Sequence, residues 1–241
     1  MTTSAVSKTT LSEGFDEVAD TYDLMVSLNP GYRRHLREAA EALLDEVTGP
    51  EPLLLDVGCG SGLSTRELAE AAAGRGLRAT VVGIDASAGM LAQARRHDWP
   101  AGVSFRHARA EEIGGLGLGP ADGVLACYLV RNVPDLPVAL TALRDALAPG
   151  GCLVVEDYSV AESPAAARRW RTVNRLVILP LAGVIAHRRE LYEYLHRSVT
   201  DFMGIRELGR QLREAGFSDV ESRTVTGWQN QILHLVRARR G

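Results

Sequence analysis

The chain reads LLLDVGCGSG from Leu53 to Gly62. An apolar run of strand length leads into three glycines at alternate positions, and residues 63–73 are rich in helix formers. This order predicts a strand, a tight glycine turn and the N-terminus of a helix. Such a turn brings a ligand against bare backbone, because glycine has no side chain and the first N–H groups of a helix have no partner within it.

The spacing of these glycines favours an amino-acid nucleoside over a dinucleotide as the ligand. The dinucleotide fingerprint G-x-G-x-x-G requires glycine where this chain has Leu63. Asp56 stands two residues before the first glycine, and a carboxylate there repels phosphates and suits a ligand that carries an ammonium group. A dinucleotide site and a glycine turn without any ligand are the alternatives.

A second acid supports the nucleoside interpretation. The short apolar run Thr80–Ile84 predicts another strand, and it is followed by Asp85. At the end of the second strand of an α/β sheet, an acid accepts hydrogen bonds from ribose hydroxyls. Alternatively, Asp85 caps a helix that begins near Ser87. We expect the ribose contact.

Composition narrows the class of protein. The chain has 241 residues, is 46% hydrophobic and carries a net charge of −3, so nothing in its overall charge points to nucleic acid. Its cysteines, Cys59, Cys127 and Cys152, are widely spaced, and neither they nor the histidines show metal-ligand spacing. We therefore expect no metal and a reducing, cytoplasmic location. The apolar run Leu176–Ala186 is shorter than the roughly 20 residues that span a bilayer.

Strands alternate with helices along most of the chain, which predicts an α/β fold with a mostly parallel sheet. Two helices, Glu13–Leu28 and Gly31–Val47, precede the first strand, and a terminal hairpin predicts an antiparallel last strand. The expected later elements are strands at Val103–Arg106, Gly123–Cys127, Cys152–Glu156, Val220–Thr226 and Gln231–Val236, a glycine-rich connection at Gly114–Pro120 and a turn at Pro149–Gly151. The predicted division is a disordered lead at 1–10 and one domain at 11–241, comprising N-terminal helices (11–50), a cofactor-binding core (51–158), a helical insertion (159–204) and a closing helix and hairpin (205–241).

These residues resemble the class I S-adenosylmethionine (SAM)-dependent methyltransferases through the motif Leu55–Gly62. More narrowly, the chain resembles the family that C-methylates the quinol ring in ubiquinone and menaquinone biosynthesis. The narrower likeness rests on Phe15–Asp23 in the opening helix, Arg131-Asn132-Val133 after the fourth strand, Tyr192–Ser198 in the insertion and Ala215-Gly216-Phe217 after the closing helix. It implies the class I (Rossmann-like) methyltransferase sheet, with helices before it and a helical insertion before the last strands.

The resemblance also implies a binding site for SAM. Its glycines and Ser61 would hold the methionine part and Asp85 the ribose. Arg109 and Ala110 stand where the adenine edge is read, and Cys127 ends the strand beneath the methionine part. Tyr22 reaches the cofactor unless it serves only as core packing. The family normally has Asn or Asp where this chain has Arg109, and arginine has only donors. The predicted cofactor-binding residues are Tyr22, Asp56, Gly58, Cys59, Gly60, Ser61, Gly62, Asp85, Ala86, Met90, Arg109, Ala110 and Cys127.

The catalytic candidates follow from the chemistry of a phenolic acceptor. Removing the phenolic proton, with a pKa of about 10 in water, enriches the ring carbon in electrons, and Arg131 is the candidate cation beside the phenolate. Asn132 would orient a water or the ring, although an exposed helix lead-in capped by Asn132 is the alternative. Tyr192 or Tyr194 would line the acceptor pocket. His187 and His196 are candidate general bases, with a solvated surface histidine as the alternative for each. The catalytic set is thus Arg131, Asn132, His187 and Tyr192.

The insertion predicts a peripheral membrane contact through residues 168–197. Between residues 161 and 200, seven arginines against three glutamates give a net charge of +4 around the apolar run Leu176–Ala186. A basic rim around an apolar helix suits anionic lipid and a prenyl tail. A cap helix over a pocket and a homodimer interface are the alternatives.

The sequence therefore predicts a SAM-dependent enzyme that methylates a quinol-like, phenolic or polyketide-like small molecule, with carbon as the favoured atom. One alternative is an O- or C-methyltransferase that tailors a secondary metabolite. The other is a methyltransferase fold that uses the cofactor structurally or for non-methylating chemistry.

Overall fold

A seven-stranded sheet organises the chain in a computed structural model that describes residues 31–178 and 189–241. The order of the strands across the sheet is β3-β2-β1-β4-β5-β7-β6. The strands are β1 (Leu53–Val57), β2 (Thr80–Asp85), β3 (Val103–His107), β4 (Ala121–Cys127), β5 (Leu147–Tyr158), β6 (Phe217–Thr224) and β7 (Leu233–Arg240).

Helices connect these strands and begin at recognisable caps. Side chains of Ser87, Asp135 and Ser163 accept a hydrogen bond from the backbone N–H three residues later and so satisfy a free donor of the first turn. The described α-helices are α1 (Tyr32–Leu44), α2 (Leu63–Gly74), α3 (Ala88–Ala94), α4 (Leu136–Ala146), α5 (Pro164–Val173), α6 (Arg189–Asp201) and α7 (Ile205–Glu214). Shorter 3-10 helices cover Ala110–Leu116 and Gly227–Gln229, and α5 continues into a π-helical turn at Asn174–Ile178.

The strand directions confirm the predicted fold class. Strands β1 to β5 pair in parallel, whereas β7 runs antiparallel to both β5 and β6. The first strand lies between β2 and β4, so the connections leave its carboxyl end in opposite directions. Ligands of open α/β sheets bind in the crevice at such a switch point.

The core consists of two apolar layers, one on each face of the sheet. Leu54, Leu125 and Val154 are fully buried in a cluster with residues of α1 and α2. Their neighbours Leu55 and Leu153 are buried on the opposite face with residues of α4 and α7. Because consecutive strand residues point to opposite faces, these continuous apolar runs identify strands covered on both sides. The sheet thus holds its carboxyl ends rigidly around the crevice.

The structure also differs from the predicted boundaries. The predicted turn Pro149–Gly151 lies within β5, where Gly150 has a φ of 77° and the register with β4 shifts after Ala121. Part of the predicted connection Gly114–Pro120 belongs to the 3-10 helix. The expected helix Glu13–Leu28 lies outside the described residues, and the second expected helix is α1. No helix in the described ranges is long and apolar enough to cross a membrane.

Candidate active site

A cleft opens at the carboxyl ends of β1, β2 and β4, and the loops that follow these strands form its walls. The glycine turn forms one side, and α1 together with the loop after β4 forms the other. The lining residues are Tyr32, Leu36, Val57, Gly58, Cys59, Gly60, Ser61, Leu63, Ser64, Ile84, Asp85, Ala86, Met90, Ala108, Arg109, Ala110, Glu111, Cys127, Tyr128, Leu129, Asn132, Val133 and Pro134.

Two glycines of the turn after β1 combine a positive φ with the close approach of a neighbouring side chain. Gly58 has a φ of 78°, and a Cβ there would lie 3.0 Å from the Leu129 side chain. Gly62 has a φ of 93°, and a Cβ would lie 2.8 Å from the Trp99 ring. Both conformations disfavour side chains. Gly62 is not among the cleft residues, so its role is to let Trp99 pack against the start of α2.

Asp56 lies beneath the glycine turn. It is fully buried, and its Oδ2 accepts hydrogen bonds from the hydroxyls of Ser64, at 2.7 Å, and Thr65, at 2.5 Å. Burial raises the pKa of Asp56 to about 6, although the two hydroxyls oppose the rise. Asp56 is not among the residues that line the cleft, and its Oδ2 ties the first turn of α2 to the end of β1. Its Oδ1 has no described hydrogen-bond partner, and the expected contact of this carboxylate with the ligand stays a prediction.

Asp85 links the two loops that form the cofactor side of the cleft. Its Oδ2 accepts a hydrogen bond from the Gly60 N–H at 2.8 Å, and its Oδ1 accepts one from the Ser87 N–H at 2.8 Å. The Ser87 side chain caps α3, so the capping alternative applies to Ser87 rather than to Asp85. Asp85 lines the cleft at the end of β2, and its contact with the ribose stays a prediction.

The wall formed by the residues after β2 and β3 combines apolar and charged residues. Met90 and Ala110 are buried and line the cleft, together with Ala86 and Arg109. The Arg109 guanidinium lies 3.7 Å from the Glu111 carboxylate, which also lines the cleft. Glu111 was not predicted from the sequence. Its position two residues after Arg109, which supplies only hydrogen-bond donors, could have indicated it as the acceptor on this wall. The pair brings both donors and acceptors to this wall.

The cleft floor contains thiols that do not act as nucleophiles. Cys59 and Cys127 both line the cleft and are buried. Burial raises the pKa of each thiol well above its ordinary value, and nearby carboxylates raise it further. Since the thiolate is the reactive form, both side chains serve as apolar packing.

The loop after β4 does not present Arg131 to the cleft. The Arg131 side chain is buried in an ion pair with Asp157, and its Nε donates to the Ser198 hydroxyl of α6 at 3.2 Å. Asp157 also accepts from the backbone N–H groups of Arg131, at 3.2 Å, and Tyr158, at 2.8 Å. The sequence analysis predicted an accessible Arg131 cation beside a phenolate, whereas the structure buries this side chain in an ion pair. Arg131 instead connects the loop, β5 and the cap helix α6.

Asn132 lines the cleft, and its predicted role of orienting a water or the ring stays a prediction. Its Nδ2 donates to the Tyr128 carbonyl at 2.9 Å, while its buried Oδ1 has no hydrogen-bond partner among the described residues. Tyr128 itself has a φ of 57°, a left-handed conformation that non-glycine residues seldom adopt and that clusters at functional sites. The alternative of an exposed, capped lead-in is therefore wrong for Asn132.

A stack of aromatic rings extends from the cleft to the cap helix, and sequence reasoning missed it. Tyr32 and Tyr128 line the cleft with ring centroids 5.2 Å apart, and Tyr128 stacks on Tyr158 at 5.1 Å. The stack continues through Trp170 to His196 of α6. These residues are far apart in the sequence, so only the fold brings them together.

The remaining candidates are the cofactor-binding residue Tyr22 and the residues of the insertion. Tyr22 and His187 lie outside the described region, and for Tyr192 only a backbone position on α6 is described. Tyr194 is buried, whereas His196 is half-buried and burial lowers the pKa of its imidazole. Over the described ranges, no group of three or more His, Cys, Asp and Glu side chains could hold a metal ion.

Comparisons with known proteins decide the family. The model of the ubiE/COQ5 methyltransferase family matches residues 3–234. The chain belongs to the ubiE/COQ5 methyltransferase family. It is accordingly a SAM-dependent methyltransferase with a small-molecule acceptor.

Two relatives match this ubiE/COQ5 family member over most of its length. The ubiquinone/menaquinone biosynthesis C-methyltransferase UbiE of Bradyrhizobium diazoefficiens is 31% identical over 226 residues, which cover 91% of this chain and 88% of that protein. The demethylmenaquinone methyltransferase of Mycolicibacterium vanbaalenii is 32% identical over 216 residues, which cover 88% of each.

Solved structures show that the family member shares its fold with other enzymes. The N-methyltransferase NodS of Bradyrhizobium japonicum, in complex with S-adenosyl-L-homocysteine, has a TM-score of 0.64 at 17% identity and covers 95% of this chain and 98% of NodS. The (4+2)-cyclase SpnF has a TM-score of 0.68 at 17% identity and covers 99% and 97% of the two chains. At such identities the likeness concerns the fold alone.

The cleft of this ubiE/COQ5 family member fits SAM. Gly60 has a φ of 54°, and a Cβ there would lie 3.6 Å from the Met90 methyl group, within the space between the two walls. The Asp85 carboxylate suits the hydroxyl donors of a ribose, and Met90 with Ala110 forms an apolar surface for a purine ring. The bare backbone of Gly58–Ser61 lies against the same space and suits the methionine part.

Proposed function

We propose that this methyltransferase transfers the methyl group of SAM to a ring carbon of a quinol-like or phenolic acceptor. The observation that carries the proposal is the match, over about nine-tenths of the chain, to relatives named for C-methylation in ubiquinone and menaquinone biosynthesis. The ring faces of Tyr32 and Tyr128 on the cleft wall support it, because planar aromatic ligands stack on such rings.

The bound cofactor supplies the electrophilic methyl group, so the protein has to align the acceptor and exclude water. We assign the cofactor contacts to the glycine turn, Asp85 and Met90, and the acceptor contacts to the Tyr32 and Tyr128 rings. The Asn132 Oδ1, which has no described partner, would accept a hydrogen bond from the acceptor hydroxyl. Asn132 cannot remove the proton itself, but it fixes the orientation of the ring.

Arg131 is proposed as a positioning residue. Its ion pair with Asp157 holds the loop that carries Tyr128 and Asn132, and its bond to Ser198 attaches that loop to α6. An Arg131→Met variant should therefore lower turnover far more than it lowers the affinity for SAM. A variant with full turnover would remove Arg131 from the mechanism.

The direct test is a methylation assay with the purified protein, SAM and a short-chain naphthoquinol that lacks the ring methyl group. Under reducing conditions, mass spectrometry should find a product heavier by one CH₂ group, and proton NMR should show the loss of one ring proton. The oxidised quinone should give no product, because it has no hydroxyl group to deprotonate. Absence of product with the quinol would contradict the proposal.

Arg109 favours a second candidate, an O- or C-methyltransferase that tailors a secondary metabolite. The residue stands in the cleft wall at the position where the resemblance predicts contact with adenine, and it lies beside Glu111 rather than offering an acceptor of its own. An O-methylated product that retains its ring protons would support this candidate. Cofactor binding with no methylated product from any phenolic acceptor would instead indicate the non-methylating alternative.

A further inference from the structure

Glu156 is the most unusual acid of the described structure. It lies near the carboxyl end of β5 and is fully buried, yet neither of its carboxylate oxygens makes a hydrogen bond of regular geometry among the described residues. The Tyr128 hydroxyl is close enough to interact with the carboxyl and lowers its pKa. An ionised carboxylate in such surroundings is very costly, so the group stays neutral unless a positive charge comes close. A buried acid without regular hydrogen bonds requires an explanation.

The position of Glu156 connects it to the cleft floor. Its register partner in β4 is Cys127, and the Tyr128 N–H donates to the Glu156 carbonyl at 2.7 Å. Register partners in neighbouring strands project their side chains to the same face of the sheet. Since Cys127 and Tyr128 both line the cleft, the Glu156 carboxyl lies directly behind the floor.

The groups around Glu156 do not supply a positive charge that would balance an ionised carboxylate. Burial raises the pKa of its carboxyl to about 8, and Glu38 of α1 and Asp157 of β5 raise it further. The Tyr128 hydroxyl and Arg223 of β6 act in the opposite direction, and the β7 residue opposite Glu156 is the apolar Leu235. The neutral Cys127 thiol faces it from β4. No cation of α1, β4 or β7 is among the groups that act on it.

Methyl transfer changes the charge of the cofactor, which binds on the cleft side of this floor. SAM carries a positive sulfonium, whereas the product S-adenosylhomocysteine (SAH) carries a neutral thioether. The resemblance described above puts the methionine part of the cofactor over Cys127. A positive charge there stabilises the ionised form of a carboxyl within a few ångströms.

We propose that Glu156 is a proton-linked counterion that distinguishes SAM from SAH. When SAM binds, the carboxyl releases its proton to solvent and its negative charge balances the sulfonium. Methyl transfer removes the sulfonium charge, and the acceptor loses one proton. The Glu156 carboxylate takes up one proton at this stage, so the charge of the site is the same before and after the reaction.

Two other buried acids, Asp157 and Asp56, act on Cys127. Asp157 is paired with Arg131, and Asp56 does not account for this proton either. Its pKa of about 6 leaves it mostly ionised at about pH 7 before any ligand binds. Two hydroxyl groups also satisfy one of its oxygens. Proton release near neutral pH is therefore specific to Glu156.

The test is calorimetric titration of the full chain with SAM and, separately, with SAH. Each titration is run at about pH 7 in two buffers of different ionisation enthalpy, which gives the number of protons released. The wild type should release close to one proton more with SAM than with SAH. The Glu156→Gln variant should lose this difference, whereas the control Glu214→Gln, which replaces an exposed acid on α7, should keep it. Equal release with both ligands, or an unchanged difference in Glu156→Gln, would overturn the proposal.

A second measurement uses only the wild type and covers the case of a variant that does not fold. Equilibrium dialysis at two pH values about one unit apart, centred near pH 7, gives the ratio of the SAM and SAH affinities. Release of one proton predicts that this ratio shifts about tenfold in favour of SAM at the higher pH, and a constant ratio contradicts it. Neither measurement needs an acceptor, so both are independent of the proposed quinol methylation.

Discussion

Around the ends of β1 and β2, the loops are tied together by short hydrogen bonds: Gly60 and Ser87 donate to Asp85, and Ser64 and Thr65 donate to Asp56. Around the ends of β4 and β5, several buried polar atoms make no hydrogen bond of regular geometry within the described ranges. They are the Tyr128 hydroxyl, the Asn132 Oδ1, both oxygens of Glu156 and the Tyr194 hydroxyl. The cofactor half of the cleft is largely organised by its own hydrogen bonds, and Asp56 Oδ1 is its buried oxygen without a described partner. The acceptor half, around the ends of β4 and β5, holds more such atoms: Tyr128 and Asn132 line the cleft, whereas Glu156 lies behind the cleft floor.

The ion pair of Arg131 with Asp157 joins two buried side chains in the acceptor half, so removing one partner gives the largest expected effect. An Asp157→Ala variant leaves a buried guanidinium without its carboxylate and should lower the free energy of unfolding by about 3–5 kcal/mol, measured in urea. The matched control is Glu207→Ala, which breaks an exposed arginine pair on α7 and should change stability little. Equal effects of the two substitutions would mean that the acceptor half is not held by this pair.

The pH dependence of the free energy of unfolding in a Glu156 variant tests the acceptor half further. The folded pKa of Glu156, about 8, exceeds the ordinary value of 4.5, so the folded protein holds a proton that the unfolded chain has lost. Stability should therefore fall as pH rises between these values, by up to about 1.4 kcal/mol per pH unit. In Glu156→Gln the slope above about pH 6 should be flatter, whereas Glu214→Gln should keep the wild-type slope. Urea unfolding at two pH values gives the slopes, and parallel slopes in all three proteins would contradict the assignment.

A substitution of Asp85 tests the cofactor half of the cleft. An Asp85→Ala variant should bind SAM more weakly by about 1–3 kcal/mol, because it loses the predicted ribose bonds and the anchor of the Gly60 N–H. Calorimetric titration measures the loss. Asp98→Ala, which removes an exposed acid, should bind SAM as the wild type does. An unchanged affinity in Asp85→Ala would remove this residue from the cofactor site.

The smallest expected effect concerns the surface beyond the acceptor half. Arg168, Arg171, Arg175 and Arg197 are exposed, and the Leu176 side chain is 70% exposed. Co-sedimentation should show weak binding to anionic vesicles, weaker binding in high salt and none to neutral vesicles. A variant with Arg171 and Arg175 replaced by glutamine should bind less. Absence of binding to both kinds of vesicle would contradict a membrane contact.

The sequence predicted the organised half better than the acceptor half, and the reason is the range of the interactions. The glycine turn and Asp85 are specified by residues close together in the chain, and the parallel strands by local apolar runs. The pairing of Arg131 with Asp157 and the stacking of Tyr32 on Tyr128 join distant segments, and no local pattern encodes them. The motif also contains two residues, Asp56 and Gly62, that were predicted to bind the cofactor and that are not among the residues lining the cleft.

The end of β5 carries Glu156 and Asp157 in succession, and neighbouring residues of a strand project to opposite faces. One carboxyl group therefore borders the floor under the donor, and the next anchors the loop that meets the recipient molecule. A single-residue insertion or deletion within this strand would exchange the two and abolish both tasks together. A point substitution, in contrast, alters only one of them. Selectivity for the molecule to be modified can thus diverge at Asp157 and its contacts while the handling of the donor is inherited unchanged.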